Sequence, residues 1–386
     1  MTTKLRDGVM KRGGSWCYVV RLPDLETGRS KPRWVGGFST EAAAKAARDE
    51  ARVAGRHGSY VDRSAVTVAA YLREWLAGHA VAVKPKTFSG YRDDVEGYVI
   101  PRIGGMRLQN VRPATIGKLY RDLLDGGGRN GKPLSPRTVE HVHRTLRKAF
   151  GDAVEIEGVL PTNPVVKAKR PRVRPAEPGQ LWTTAELRTF LGVAGQHRLG
   201  AYYWLATYTG ARRGELLHLR WPDIDLDAAE ITVAGSTDVI DGERQDGETK
   251  GGRSRVVSID AETVEVMRGH RKRQAAEQLA AGPLWCGTND QVFAAADGAP
   301  LYPDSVSALM GTLVRRSGLS ASRLHDLRHL HATTLLLAGV PVHVVAARLG
   351  HADLAITLRV YAHVLREQAA GVADVFARAV ADSTRV

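Results

Sequence analysis

Apolar positions alternate near the start of the chain. Trp16, Tyr18, Val20 and Leu22 fall on one side of an extended segment, with Cys17, Val19 and Arg21 on the other, the period of two of a β-strand. Val9–Arg12, before Gly13-Gly14, and Lys31–Phe38, after a turn at Asp24 to Gly28, read as flanking strands. Ser39 or Thr40 then caps a helix that runs to about Ala54 and ends at Gly55. From Thr67 the period changes. Val68, Leu72, Trp75 and Leu76 share one helical face, and a second helix spans about Pro85–Tyr98. A third starts near Pro113 and carries Ile116, Leu119, Tyr120, Leu123 and Leu124. The loop Asp125 to Lys132 follows. Ser135-Pro136, an N-cap with proline at the first helical position, opens a long helix to about Glu157.

Residues 165–180 carry Pro171, Pro175 and Pro178 among five Lys/Arg and one Glu, and read as an extended basic linker. Beyond it, Thr183 and Glu186 form a capping box. Helices are expected at about 184–194 and 198–209, then one beginning at Arg212 and stopped by Trp221-Pro222. Strands at Glu230–Val233 and Ser254–Ile259 are expected to be joined by a long polar loop. Helices follow at about 260–280, 303–317, 326–338, 341–349 and 353–367. A last one near 369–380 places Val372, Val375, Phe376 and Ala379 on one face. The expectation is a multi-domain, mainly α chain. It has a small ββ-β-α module (1–63), a helical domain (64–164), the linker (165–180), and an α+β domain with a tail helix (181–386).

Composition narrows the partner. At 386 residues and 43% hydrophobic, the chain can build two or three cores. A formal charge of +14 and a pI near 9.9 point to a polyanion. A membrane surface is the competitor, but no apolar run approaches the roughly 18 residues a bilayer span needs. The opening MTTKLRDGVMKRGG lacks an apolar core, so a signal peptide is not expected. Cys17 and Cys286 supply neither a disulfide framework nor a metal set, which fits a reducing cytoplasm. Candidate DNA contacts are Lys11, Arg12 and Arg33 on the strands, and Arg137, Arg144 and Arg147 at helical spacing. In the linker they are Lys167, Lys169, Arg170 and Arg172. For the strands and the helix, a solvated basic face is the alternative.

The chemistry gathers in LHDLRHLHATTLLLAGVPVHVVAARLGHADLAITLRVYAHV, from Leu324 to Val364. It holds His325, Arg328, His351 and Tyr361, and TGARRGELLHLRW upstream adds Arg212. Two arginines from separate helices can clamp a phosphodiester, since each planar fork donates two hydrogen bonds and stays charged. His325 and His351 can donate to a phosphoryl oxygen or carry a proton. The Tyr361 hydroxyl, with an ordinary pKa of about 10, becomes a nucleophile where cations stabilise its phenolate. Lys250, in TKGG, is the candidate acid for a departing sugar oxygen. Tyr202, Tyr203 and Tyr208 compete as nucleophiles but sit in an apolar helix, while Tyr302 lacks a box around it. The HLH of His329 and His331 is a weak metal signal, without Cys or carboxylate at ligand spacing.

These boxes resemble the tyrosine recombinase (phage integrase) family. TGARRGELLHLRW is similar to its first arginine box, with Glu215 as a structural partner of Arg212; HDLRH matches its H-x-x-R box. LGH, at Leu349 to His351, matches its third element, and Tyr361 lies ten residues on. The resemblance implies catalytic roles for Arg212, Lys250, His325, Arg328, His351 and the nucleophile Tyr361. It implies strand cutting and rejoining through a 3′-phosphotyrosyl link, no cofactor or metal, and a homotetramer on two double-stranded DNA attachment sites. An accessory DNA-bending or directionality factor would be compatible. It also implies an arm-binding module at 1–63, a core-binding domain at 64–164 and a catalytic domain at 181–386. The arm module favours an integrase of a phage or another mobile element, acting in a bacterial cytoplasm. A topoisomerase-like or resolvase-type enzyme of the same chemistry and an inactive DNA-binding regulator are the alternatives.

Overall fold

The structure is a computed structural model that describes residues 7–23, 30–56, 60–173, 181–249, 251–288, 290–351, 353–360, 377 and 380. The chain divides into two compact units, Met1–Pro175 and Ala176–Val386.

The first unit opens with an antiparallel sheet of β1 (Val9–Arg12), β2 (Ser15–Pro23) and β3 (Ser30–Phe38), in that order. The alternation in β2 holds at Tyr18 and Val20, but Cys17, expected on the other side, is buried too, beside a register shift between Trp16 and Tyr18. Tyr18 and Val20 are buried with Val9 and Phe38 against Ala44 and Ala51 of α1 (Glu41–Arg56). Lys11, Arg12 and Arg33 are exposed, as is Trp34 at 54%. Arg33 is tied to Asp62 at 2.6 Å.

The helical part runs through α2 (Val68–His79), α3 (Pro85–Arg92), α4 (Ile100–Ile103), α5 (Pro113–Gly126) and α6 (Pro136–Glu155). The helix expected at 85–98 departs from regular geometry, because Asp93–Val99 winds as a π-helix between α3 and α4. The long helix α6 starts as read, with Ser135 Oγ accepting from Thr138 N. Its apolar stripe, including Val139, Val142, Leu146 and Phe150, enters the core, leaving Arg137, Arg144 and Arg147 exposed. Val165 and Ala168 pack into the same core. The stretch read as a linker therefore begins as part of the helical body, because Val165 ahead of the basic run and Ala168 between Lys167 and Lys169 are apolar and buried. Lys167, Lys169, Arg170 and Arg172 are exposed, Arg170 lying 3.4 Å from Glu140.

The second unit is built around the helices α7 (Thr184–Gly195) and α8 (Gly200–Thr209), whose Phe190, Tyr202 and Tyr203 are fully buried. Then come α9 (Arg213–His218), β4 (Ile224–Asp225), β5 (Glu230–Val233), β6 (Gly235–Ile240), β7 (Glu243–Glu248) and β8 (Arg255–Ser258). A sheet of order β4-β5-β8 packs on the core, and β6 pairs with β7. The polar loop expected between the two strands is thus an antiparallel hairpin. Its turn is Asp241-Gly242, with φ of 56° and 83°, the pairing a tight hairpin favours. The polar surface of β7 hid the strand, since burial is what makes alternation visible. Helices α10 (Ala261–Ala281), α11 (Pro303–Arg316), α12 (Leu324–Leu337), α13 (Val342–Leu349) and α14 (Leu354–Val360) complete the unit. The tail helix expected near 369–380 lies outside the described residues except at 377 and 380. Among the described residues, no helix is long and apolar enough to cross a membrane.

Candidate active site

Two left-handed glycines bring the distant boxes together. Gly210 ends α8 at φ 63° and Gly350 ends α13 at φ 66°. At Gly210 a Cβ would come within 2.8 Å of both His331 and Leu349, so only glycine lets the first arginine box approach α12 and α13 this closely.

Arg328, in the second turn of α12, staples these turns. It is 4% exposed and donates through its two Nη atoms to the carbonyls of Gly210 and Leu349, each at 2.7 Å. Arg212 stands at the N-cap of α9 and donates to Glu215 Oε1 at 2.8 Å and to the Gly350 carbonyl at 3.2 Å. Its own N–H donates to Glu215 Oε2 at 2.9 Å. Glu215 therefore orients the arginine from beneath. Burial pushes the Glu215 carboxyl upward, but the Arg255 hydrogen bonds and charge, with those of Arg212, outweigh it and hold it at about 2.

His325 and His351 meet the same cluster. Burial lowers His351 to about 4, with further lowering from Arg328, Arg212, Arg255 and His325. Burial likewise brings His325 to about 4, helped by His329 and Arg328. The His325 ring is edge-on to His329 at 4.8 Å. The His351 Nδ1 lies 2.6 Å from the hydroxyl of Thr357, a fully buried residue of α14. A cavity of about 530 Å³ opens beside the cluster, lined by Ala211, Arg213, Ser307, Arg323, His325 and Arg328 among others.

Four of the six expected catalytic residues are thus gathered: Arg212, His325, Arg328 and His351. Lys250 and Tyr361 lie outside the described residues. The described flanks of Lys250 form a cinched loop. Thr249 Oγ1 donates to the Arg253 carbonyl at 2.9 Å and accepts from its N–H at 3.1 Å, and Gly252 N–H donates to the Thr249 carbonyl.

Other sequence candidates belong to the scaffold. Arg213 lines the cavity but its guanidinium is tied to Asp304 and Ser307. The Tyr202 hydroxyl donates to the Arg213 carbonyl, and the Tyr203 hydroxyl to that of Val306. Tyr208 stacks on Trp204 at 4.6 Å, and Tyr302 is exposed. His331 accepts from Arg348 Nε at 3.1 Å. Among the described residues, no group of three or more His, Cys, Asp or Glu side chains could hold a metal ion. Arg255, Thr357 and Arg348 escaped the sequence reading. Nothing in GGRSRVVS distinguishes Arg255 from Arg253, because what singles it out is a carboxylate forty positions away in the chain.

These histidines set a pH response. His325, His331 and His351 are each held near 4 in the folded chain, against about 6.5 when unfolded. Between those values the unfolded state binds more protons, so stability falls as pH falls from about 6.5 toward 4. The melting temperature of the free protein should decline steadily from pH 7 to pH 5, before Glu215 titrates. A flat profile across that window would contradict the buried, neutral histidines.

Comparison with known proteins places this geometry. The phage integrase family model matches residues 181–368, and the phage integrase N-terminal SAM-like domain matches residues 67–124. A XerC-like tyrosine recombinase of Caldanaerobacter subterraneus subsp. tengcongensis is 29% identical over 349 residues, 85% of this chain and 87% of the relative. The Tn1549 transposon integrase, solved in complex with transposon right end DNA, aligns with a TM-score of 0.67 at 19% identity. That match covers 80% of this chain and 99% of the solved one. A lambda integrase tetramer bound to a Holliday junction aligns with a TM-score of 0.58 at 19% identity, over 93% of this chain and 96% of its own. The two structural likenesses are likenesses of fold.

Proposed function

The chain belongs to the tyrosine recombinase (phage integrase) family, a family of enzymes that cut and rejoin DNA, and on that premise we propose how its residues share the work. The observation that carries the reading is the convergence of Arg212, Arg328, His325 and His351 on the Gly210 and Gly350 turns.

Tyr361 Oη attacks the scissile phosphorus. The bond to the 5′-oxygen breaks, the DNA 3′ end becomes esterified to the tyrosine, and Lys250 gives the departing 5′-oxygen its proton. Arg212 and Arg328 donate to the non-bridging oxygens, where charge grows in the transition state. Because Thr357 engages His351 at Nδ1, Nε2 is the nitrogen that serves the phosphate. His325 takes the tyrosine proton. A histidine held near 4 is a weak base in the empty site, but a bound phosphate opposes the arginine charges and raises it. A 5′-hydroxyl from a partner strand then reverses the step, and the phosphotyrosyl bond conserves the energy.

Site-specific recombination by this route suits the integration and excision of a phage or another mobile element. The supporting likenesses include the integrase of a transposon. Double-stranded attachment sites are the substrate, and four copies on two sites are the working assembly, as in the lambda integrase tetramer on a Holliday junction. Lys11 and Arg12 on the sheet serve arm-type contacts; Arg137, Arg144 and Arg147 on α6, with the exposed basic residues that follow, serve the core site. The setting is the bacterial cytoplasm at the nucleoid.

The test is covalent capture. A nicked duplex carrying the junction sequences that flank the gene should yield a denaturation-resistant protein–DNA adduct, in EDTA as well as in magnesium. Binding should weaken steeply with salt. Lys250→Ala should slow adduct formation by about 100-fold, a typical general-acid contribution. A 5′-bridging phosphorothiolate, whose sulfur leaves without a proton, should restore the rate. Absence of relief would assign the acid to another residue. Strict dependence on a divalent ion would remove the mechanism.

A further inference from the structure

Arg255 opens β8 with a side chain only 11% exposed, and its guanidinium is engaged on all three nitrogens. Nη2 donates to Glu215 Oε2 at 2.7 Å and Nη1 to Oε1 at 3.2 Å, a fork-to-fork pair. Nε donates to the Arg348 carbonyl at 2.9 Å. The same guanidinium lies against Gly350, where an added Cβ would come 2.7 Å from Nη1. Glu215 holds Arg212, and Arg212 returns to the Gly350 carbonyl. The contacts close a ring: Arg255, Glu215, Arg212, Gly350 and back to Arg255.

We propose that Arg255 is a positioning residue for strand cleavage, setting Arg212 through Glu215 and His351 through the turn at Arg348 to Gly350. The inference rests on the roles proposed above for Arg212 and His351. Two physical arguments carry it. The first is geometric. One carboxylate between two guanidiniums cannot swing toward either, and Arg255 also grips the Arg348 carbonyl at the end of α13, so both sides of the phosphate site share one frame. The second is electrostatic. Arg212 facing Glu215 alone would form a neutral pair. With Arg255 sharing the carboxylate, the trio keeps one net positive charge for the phosphate. Lysine cannot substitute, since its single ammonium lacks the fork needed to span a carboxylate and a carbonyl.

The experiment uses the full chain with Arg255→Lys, Arg255→Gln and Arg212→Lys, alone and combined. The readouts are single-turnover adduct formation on the nicked duplex, site affinity and melting temperature. A displacement of about 1 Å in a catalytic group costs about 100-fold. Arg255→Lys should therefore slow adduct formation by about 10- to 100-fold, with affinity within about twofold and melting lowered by only a few degrees, the cost of the lost carbonyl contact. Arg255→Gln should be at least as slow. In the Arg212→Lys background, Arg255→Lys should add less than its full loss, because the route through Glu215 is already cut and only the route through the Arg348 to Gly350 turn remains. Three results would overturn the proposal: a lysine variant within about threefold of the parent rate, losses that multiply in the double variant, or rate, affinity and melting falling together. A parent protein that forms no adduct would instead remove the reading of the site on which the proposal stands.

Discussion

Tyr361→Phe is expected to abolish covalent adduct formation on the nicked duplex while leaving site affinity within about twofold. The phenylalanine ring fills the same space, but without the hydroxyl no phosphotyrosyl ester can form, so the loss is a change of chemistry and not of rate. The alternatives within the second unit are poor nucleophiles for structural reasons. Tyr202 and Tyr203 are buried, with hydroxyls donated to backbone carbonyls, and burial pushes both phenols upward. An adduct persisting in the Phe variant would show that another residue attacks. The assay is denaturing electrophoresis of end-labelled DNA beside an equilibrium binding titration.

Arg328→Ala carries the second large effect, and it has two parts. Removing a donor to developing phosphoryl charge costs about 100- to 1,000-fold in cleavage rate, by analogy with the loss of an oxyanion donor. Truncation also strips the partner from two carbonyls, those of Gly210 and Leu349. Each buried carbonyl left unsatisfied costs about 1–3 kcal/mol, so the melting transition of the second unit should fall as well. Arg328→Lys separates the parts. It keeps the charge and one carbonyl contact, so it should recover much of the stability and little of the rate. A lysine variant that recovers both would make Arg328 only a charge. An alanine variant cleaving within tenfold of the parent would make it scaffold alone.

The two predictions differ in how much of their basis could be read from residue order. Tyr361 follows the LGH box by ten positions, and that spacing suffices to nominate it. Arg328 could be nominated from HDLRH, but the same letters say nothing of its grip on two turns. The Asp241-Gly242 turn was legible in principle; the strands beside it were not, because β7 exposes nearly every residue and buried alternation is the usual signal. Val165 and Ala168 show the opposite failure: charge and proline dominated the segment, and two apolar side chains decided where it packs.

Arg255 marks the boundary. Local order was enough for most of the described helices, for the period-two strand in the first module, for the positive charge that suits DNA, and for the order of the boxes that carry the family resemblance. Each of these depends on neighbours within a few positions, or on composition. What required the folded chain was which arginine joins which carboxylate. Arg212, Glu215, Arg255, Arg348 and Gly350 are brought together by α9, the start of β8 and the end of α13. Hydrogen bonds form between atoms near in space, and two left-handed glycines set that nearness.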